Sequence, residues 1–153
     1  MAGVVDYDIA VELDPETHRI TGVETIRWTN STSTATDELY LHLNLHAFSG
    51  SHTTFMRELG WRSLRNRVDN EGGWGWTRIL SFERGDGLDL LPGMEFVRPD
   101  DGNPEDFTVV RVPMTEEIPP GSAVELEISF EAQLPWIIAR TGYVEDFHPV
   151  SYT

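Results

Sequence analysis

Apolar and polar residues alternate with a period of two along much of the chain, and this pattern predicts β-strands. Between Val4 and Leu13 an apolar side chain occupies every odd position, while Asp or Glu occupies most even positions. This run predicts a half-buried strand with its apolar face against a core. A second strand is predicted from Ile20 to Asn30, after a turn that starts at Asp14.

The clearest alternation runs from Leu39 to Phe48, where leucines on one side face Tyr40, His42 and other polar residues on the opposite side. It predicts one continuous strand. The alternation is lost over residues 49–77, in which residues 55–59 are predicted to form one helical turn. Further strands are predicted at Arg78 to Phe82, Glu95 to Arg98, Thr108 to Met114 and Ala123 to Leu134.

Short strands separated by Gly, Pro, Asp and Asn turns are typical of an all-β domain. We therefore predict a single domain over residues 1–153, built as an antiparallel β-sandwich, with an open barrel as the alternative. No internal repeat or long amphipathic helix interrupts this organisation.

Composition narrows the chemistry that such a domain can perform. The chain has 26 acidic and 11 basic residues, all of the latter arginine, a formal net charge of −15 and no cysteine. Disulfides, thiolate metal sites, cysteine nucleophiles and lysine Schiff bases are thereby excluded. The negative charge repels phosphate backbones, so nucleic acid is not an expected partner. No stretch approaches the about 18 apolar residues of a membrane span, so membrane insertion is not expected either.

Two groups of residues are candidate cation sites. His42 and His46 have the spacing of a helical zinc pair, but on the predicted strand they lie about 13 Å apart, which disfavours zinc. Asp100, Asp101 and Asn103 carry oxygens that calcium could use. An ordinary acidic turn is the favoured interpretation, because Asp and Asn stabilise turns through their own backbone.

Trp74 and Trp76, each preceded by a glycine, form a candidate contact loop. They either stack against sugar rings or anchor another part of a larger protein, and the second interpretation is favoured. His42 and His46 are further candidate contact residues. No Gly-x-Ser-x-Gly motif occurs and no histidine has neighbours that suggest a triad, so no catalytic residue is assigned.

Several short segments occur in a characteristic order. They are residues 5–14, 20–24, 28–31, 39–44, 54–58, 99–103, 120–121, 134–135 and 139–143. Together they resemble the amino-terminal β domain of the aminopeptidase N family of zinc metallopeptidases, the gluzincins. The family's zinc motif, His-Glu-x-x-His, and its Gly-x-Met-x-Asn motif do not occur in this chain.

The resemblance implies a saddle-shaped sandwich that precedes a thermolysin-like catalytic domain and is incomplete here at its C-terminal end. By itself the chain is then no enzyme: it has a structural and substrate-shaping role and no cofactor, and zinc belongs to the catalytic domain of the parent. That domain is the expected partner, and self-association through the cut sheet edge is a further expectation. The compartment is open, with the bacterial periplasm or cell surface favoured if a signal peptide was removed. The alternative function is a stand-alone binding module for carbohydrate or protein at the loop of Trp74 and Trp76.

Overall fold

The computed structural model describes residues 4–59, 73–138 and 141–148. The regular structure of these residues consists of antiparallel strands and one short helix. In chain order the elements are β1 Val5–Asp14, β2 Arg19–Thr29, β3 Thr36–His42, α1 Thr54–Glu58, β4 Trp76–Arg84, β5 Glu95–Val97, β6 Val109–Ile118 and β7 Ala123–Gln133, with 3₁₀ turns at Asn44–Phe48 and Leu91–Gly93. The predicted all-β, two-sheet fold is confirmed, and so is the helical turn, which the structure places one residue earlier than predicted.

The strands form two sheets. The first contains four strands in the order β1-β2-β7-β4, and the second contains three in the order β3-β6-β5. Residues that pair across antiparallel strands point to the same face of a sheet. Ile26 of β2 pairs with Tyr7 of β1 and with Leu126 of β7, so these three define the inner face of the first sheet.

The main core lies between the inner faces of the two sheets. Phe82 of β4 and Val112 of β6 are fully buried there, and Leu126 and Val110 are 1% exposed. A smaller second core surrounds the segment before β4. Its buried members are Phe48, Met56 and Ile138.

Asn30 links the ends of the two sheets. Its side chain is fully buried, and its Nδ2 donates to the carbonyl oxygens of Thr34 and Ile118, each at 2.8 Å. The Oδ1 atom accepts hydrogen bonds from the amide and the hydroxyl of Thr32. All of the side chain's polar atoms are thus satisfied, as burial of an amide requires.

The last described segment, residues 141–148, packs against the turn between β1 and β2. The ring of His18 stacks on Tyr143 with a centroid distance of 3.5 Å. Nδ1 of His18 lies 3.0 Å from Nε2 of His148, which places one hydrogen between the two rings. His18 has a φ of 55°, a left-handed conformation that this packing holds in place.

The structure places β1 one residue later at each end than predicted, and the prediction of its burial is wrong. Every residue of the strand is exposed, including the apolar row on its inner face, which ranges from 36% exposed for Val5 to 60% for Val11. The physical reason is its position at the sheet edge. The buried core residues of the first sheet come from β2, β7 and β4, against which the second sheet packs.

The prediction of one strand from Leu39 to Phe48 is also wrong. The strand ends at His42, and Asn44–Phe48 forms a 3₁₀ turn. Alternating leucines fit both outcomes, because leucine is also a good helix former. Burial of Phe48 in the second core decides the conformation, since a continuing strand would not direct it there.

Phe82 and Leu80 provide a matched test of where the core lies. We expect Phe82→Ala to lower the free energy of unfolding by about 3–5 kcal/mol, because it leaves a cavity at a fully buried site. Leu80 sits in the irregularity between Ile79 and Ser81 and is 51% exposed, so Leu80→Ala should change stability by no more than about 0.5 kcal/mol. Urea denaturation followed by circular dichroism measures both. Equal effects of the two substitutions would contradict this placement.

Candidate functional site

The two candidate contact tryptophans have different surroundings. Trp74 packs against the second core and is half-buried. Trp76, on β4, has two guanidinium groups over its ring, with the Cζ atoms of Arg19 and Arg78 at 5.4 and 5.2 Å from the ring centroid. Trp74 therefore packs within this chain, while Trp76 contacts two arginine side chains on the outer face of the first sheet. Glu131 completes that group, since its Oε1 lies 2.8 Å from Nη1 of Arg78.

The glycines beside these tryptophans permit close packing. A Cβ atom added to Gly73 would lie 2.0 Å from Cδ1 of Trp136, and one added to Gly75 would lie 2.8 Å from Cδ of Pro135. The Trp136 amide donates to the Gly73 carbonyl at 2.9 Å, so backbone and ring meet at the same point. Glycine serves here to let two segments approach.

His42 and His46 do not share a role. Nε2 of His46 donates to the carbonyl oxygen of Thr77 at 2.7 Å, and its ring meets Phe96 edge-on. His42 is exposed at the end of β3. His46 is thus a packing residue between the 3₁₀ turn and β4, whereas His42 lines the groove described below.

The turn that carries Asp100, Asp101 and Asn103 is tied to the start of α1. Oδ2 of Asp101 accepts from the Thr54 hydroxyl at 3.0 Å, and Nδ2 of the buried Asn103 donates to the His52 carbonyl at 2.8 Å. The Asn103 amide donates to Oδ1 of Asp101 at 2.9 Å. These bonds give Asp101 and Asn103 a structural role. Within residues 4–59, 73–138 and 141–148, no cluster of three or more His, Cys, Asp or Glu could hold a metal ion, and calcium at this turn stays a prediction.

The main candidate site is an apolar groove between the inner face of the first sheet and β3, with a volume of about 490 Å³. Its floor carries apolar side chains of β2, β7 and β4, and its wall comes from β3 and the segment that follows. The lining residues include Tyr7, Ile26, Ile79, Ile128 and Phe130 of the first sheet and Leu41, His42, Leu43 and Leu45 opposite them.

Glu24 stands on the floor of this groove. It pairs with Ile9 of β1 on one side and with Ile128 of β7 on the other, so apolar neighbours flank its carboxylate. This burial raises the pKa of Glu24 above its ordinary value. Among the described residues no hydrogen bond or ion pair compensates the charge. The groove therefore combines apolar side chains with one carboxylate and with the polar groups of His42, Asn44 and Thr77.

The sequence contains an indication of this site, a charged residue on the core face of a predicted strand, which the strand prediction did not use. Glu24 falls on the same parity as Ile26 and Trp28, which makes it a charged residue on the core face of a strand. Such residues are seldom buried without a partner. The groove itself depends on how far the second sheet extends, and no local pattern reports that.

Comparison of the chain with models of protein families and with curated proteins finds no match. The resemblance to the aminopeptidase N family therefore stays a prediction. Within the part of the chain that the structure describes, no helix has the length and apolarity needed to cross a bilayer.

Gly73→Ala tests the close packing around Trp136. The added methyl group would overlap the indole ring, so we expect a loss of about 1–3 kcal/mol in stability and a changed tryptophan near-ultraviolet dichroism signal. Gly50→Ala is the control, because a Cβ atom there meets nothing within 4 Å. If Gly73→Ala behaved like Gly50→Ala in thermal and urea unfolding, the contact would not constrain the fold.

Glu24→Gln tests the desolvated carboxylate. A carboxyl group whose pKa is raised on folding costs stability as the pH rises from its ordinary pKa through its folded pKa. The variant should therefore be more stable than the parent chain at neutral pH, by less than about 1 kcal/mol because the group is only half-buried. The difference should shrink as the pH falls through the raised pKa of Glu24 toward the ordinary pKa of a glutamate.

Glu12→Gln is the matched control for this pH dependence. Glu12 is exposed on the outer face of β1 and pairs with Thr21, so the substitution changes the net charge equally without touching the groove. Urea unfolding at a series of pH values measures both variants. A pH-independent difference for Glu24→Gln, or the same curve for Glu12→Gln, would contradict the buried-charge interpretation.

Proposed function

We propose that the chain is the non-catalytic amino-terminal β domain of an aminopeptidase-like zinc metallopeptidase, which docks against the catalytic domain of its parent. The ordered segments that resemble the family support this proposal, as does the two-sheet antiparallel fold. The role is structural and substrate-shaping: a β wall beside the catalytic cleft that limits access to it.

The observation that carries a docking role is the uncovered apolar surface of β1. Tyr7, Ile9 and Val11 are 59%, 53% and 60% exposed and lie in one row on the inner face. Single exposed apolar residues are ordinary, but a contiguous row beside an open groove is typical of an interaction surface. A domain that covered this row would also close the groove over Glu24.

In this proposal the catalytic domain of the parent binds the zinc and performs peptide hydrolysis. Peptide hydrolysis by a zinc peptidase needs a metal-bound water and a general base, and the sequence lacks the His-Glu-x-x-His motif that supplies them in this family. The chain contributes shape, an apolar contact surface and the exclusion of water.

A sugar-binding platform at Trp74 and Trp76 is supported less well. Such a platform needs flat, free aromatic faces, whereas Trp74 packs against the second core and the guanidinium groups of Arg19 and Arg78 lie over the ring of Trp76. The surroundings of both rings favour packing over stacking on a ligand.

The proposal is tested by activity and by binding. We expect the purified chain to hold no stoichiometric zinc and to leave aminoacyl 4-nitroanilides intact. It should bind the catalytic domain of an aminopeptidase N-type enzyme from which the native amino-terminal domain has been removed. Elemental analysis, a chromogenic assay and isothermal titration calorimetry measure these outcomes. Zinc-dependent hydrolysis by the chain alone would refute the proposal.

Two lysine substitutions localise the binding surface. Ile9→Lys places a charge in the apolar row and should weaken binding at least about tenfold, which corresponds to about 1.4 kcal/mol. Leu80→Lys adds the same charge at a residue of nearly equal exposure on β4, at the opposite edge of the sheet, and should leave binding unchanged. The reverse order of effects would assign docking to another surface.

A further inference from the structure

The outer edge of β1 presents backbone groups that no described residue pairs. Among the described residues, β1 hydrogen-bonds only to β2. The Thr29 amide donates to the Val4 carbonyl at 2.8 Å, and residues of an antiparallel ladder alternate between hydrogen-bonded and non-hydrogen-bonded pairs. Even-numbered residues of β1 therefore bond to β2, and odd-numbered residues direct their amides and carbonyls to the open edge.

The residues with these outward backbone groups also carry the apolar row. Tyr7, Ile9 and Val11 are odd-numbered, exposed and on the inner face. A strand added at this edge would pair with their amides and carbonyls and would direct its opposite side chains to the same face. Side chains at those positions must be apolar to cover the row.

The residues on the outer face of β1 determine which side chains an added strand must carry on that same face of the sheet. Asp6 pairs with Arg27 of β2, and Asp14 pairs with Arg19, so the two ends of the strand face cations. The centre is different. Asp8 pairs with Thr25 and Glu12 pairs with Thr21, and both acidic residues are exposed.

A second copy of the chain is a poor occupant of this edge. Antiparallel pairing of β1 with itself, centred on Ala10, would place Asp8 of each copy opposite Glu12 of the other. Even-numbered residues would form the non-hydrogen-bonded pairs, in which Cα atoms are only about 4.5 Å apart. Like charges directly opposite each other destabilise a sheet. The same arrangement favours a strand with cations at these two positions.

We propose that β1 is a docking edge for an extended segment of a partner domain, which adds as a strand and carries two basic residues four positions apart, opposite Asp8 and Glu12. Between them, residues opposite Ile9 and Val11 are apolar, and the residue opposite Ala10 is neutral. This inference rests on the proposed docking function and gives the partner segment a pattern: basic, apolar, neutral, apolar, basic.

A labelled synthetic peptide tests the pattern on the full chain. The probe is a nine-residue peptide with lysine at its third and seventh positions, valine at every even position and threonine elsewhere. Fluorescence anisotropy at low salt measures its binding, and a peptide with glutamate in place of lysine is the comparison. We expect the lysine peptide to bind at least about tenfold more tightly than the glutamate peptide.

Charge reversal on the chain tests the assigned carboxylates. Asp8→Lys combined with Glu12→Lys should reverse the preference between the two peptides. Glu125→Lys combined with Glu127→Lys changes the net charge by the same amount on the exposed outer face of β7 and should leave the preference intact. If both double variants reversed the preference, binding would follow net charge and the proposal would be overturned.

The backbone edge is tested without altering the chain. A lysine peptide whose valine amides are N-methylated cannot donate to the carbonyls of β1, and we expect its binding to be lost. Equal binding of the methylated peptide would overturn strand addition.

The outcome separates this inference from the proposed function. Ile9→Lys could weaken binding of the catalytic domain while the charge reversals and the methylation leave peptide binding unchanged. That result would leave docking in place and refute strand addition. Sedimentation of the chain as a dimer that Ile9→Lys disrupts and Asp8→Lys strengthens would assign the edge to a second copy and would also overturn the proposal.

Discussion

The structure depends on the unequal widths of its two sheets. Four strands present an inner apolar face, and the three-stranded sheet that covers it is narrower, with only three residues in β5. Burial on the inner face is therefore deepest along β7 and at Phe82 of β4, and it falls away toward β1. Because hydrophobic stabilisation scales with the apolar area removed from water, the core is strongest where the sheets overlap. The uncovered row, the groove and the desolvated Glu24 all follow from this limited overlap.

The segments that leave the sheets are held by polar and aromatic contacts. Asn30 closes one end of the sandwich through buried hydrogen bonds, and His18 and Tyr143 hold the last described segment on the first hairpin. Near β4, Gly73 lets Trp136 pack against the backbone. Polar contacts satisfy buried groups at the ends of the sandwich, while glycine permits the approach that a side chain would block.

Local alternation predicted the strands and the fold class because a pleated strand imposes its period on any sequence that buries one face. It did not predict which faces are covered. Residues 5–14 alternate as regularly as β7, yet only β7 lies under the second sheet. The leucines after His42 continue the period into a 3₁₀ turn, because the packing of Phe48 outweighs a local preference. Trp74 was expected to anchor another part of a larger protein, but in the structure it packs against the second core of this chain, whose residues are distant in sequence.

The net charge of −15 has a different meaning once the residues are placed. On β1 the acidic row lies beside a backbone edge that no described residue pairs and beside an exposed apolar row, a combination that in other proteins leads to edge-to-edge aggregation. Charged side chains on an edge strand oppose pairing between identical copies, and an acidic row does so without preventing pairing with a basic strand. Arg27 and Arg19 lie opposite Asp6 and Asp14 at the ends of the row, so the acidic residues that have no basic residue opposite them on β2 lie at its centre. Composition alone argued only against nucleic acid as a partner, whereas the positions of the same carboxylates on β1 support the proposed selectivity for a basic strand.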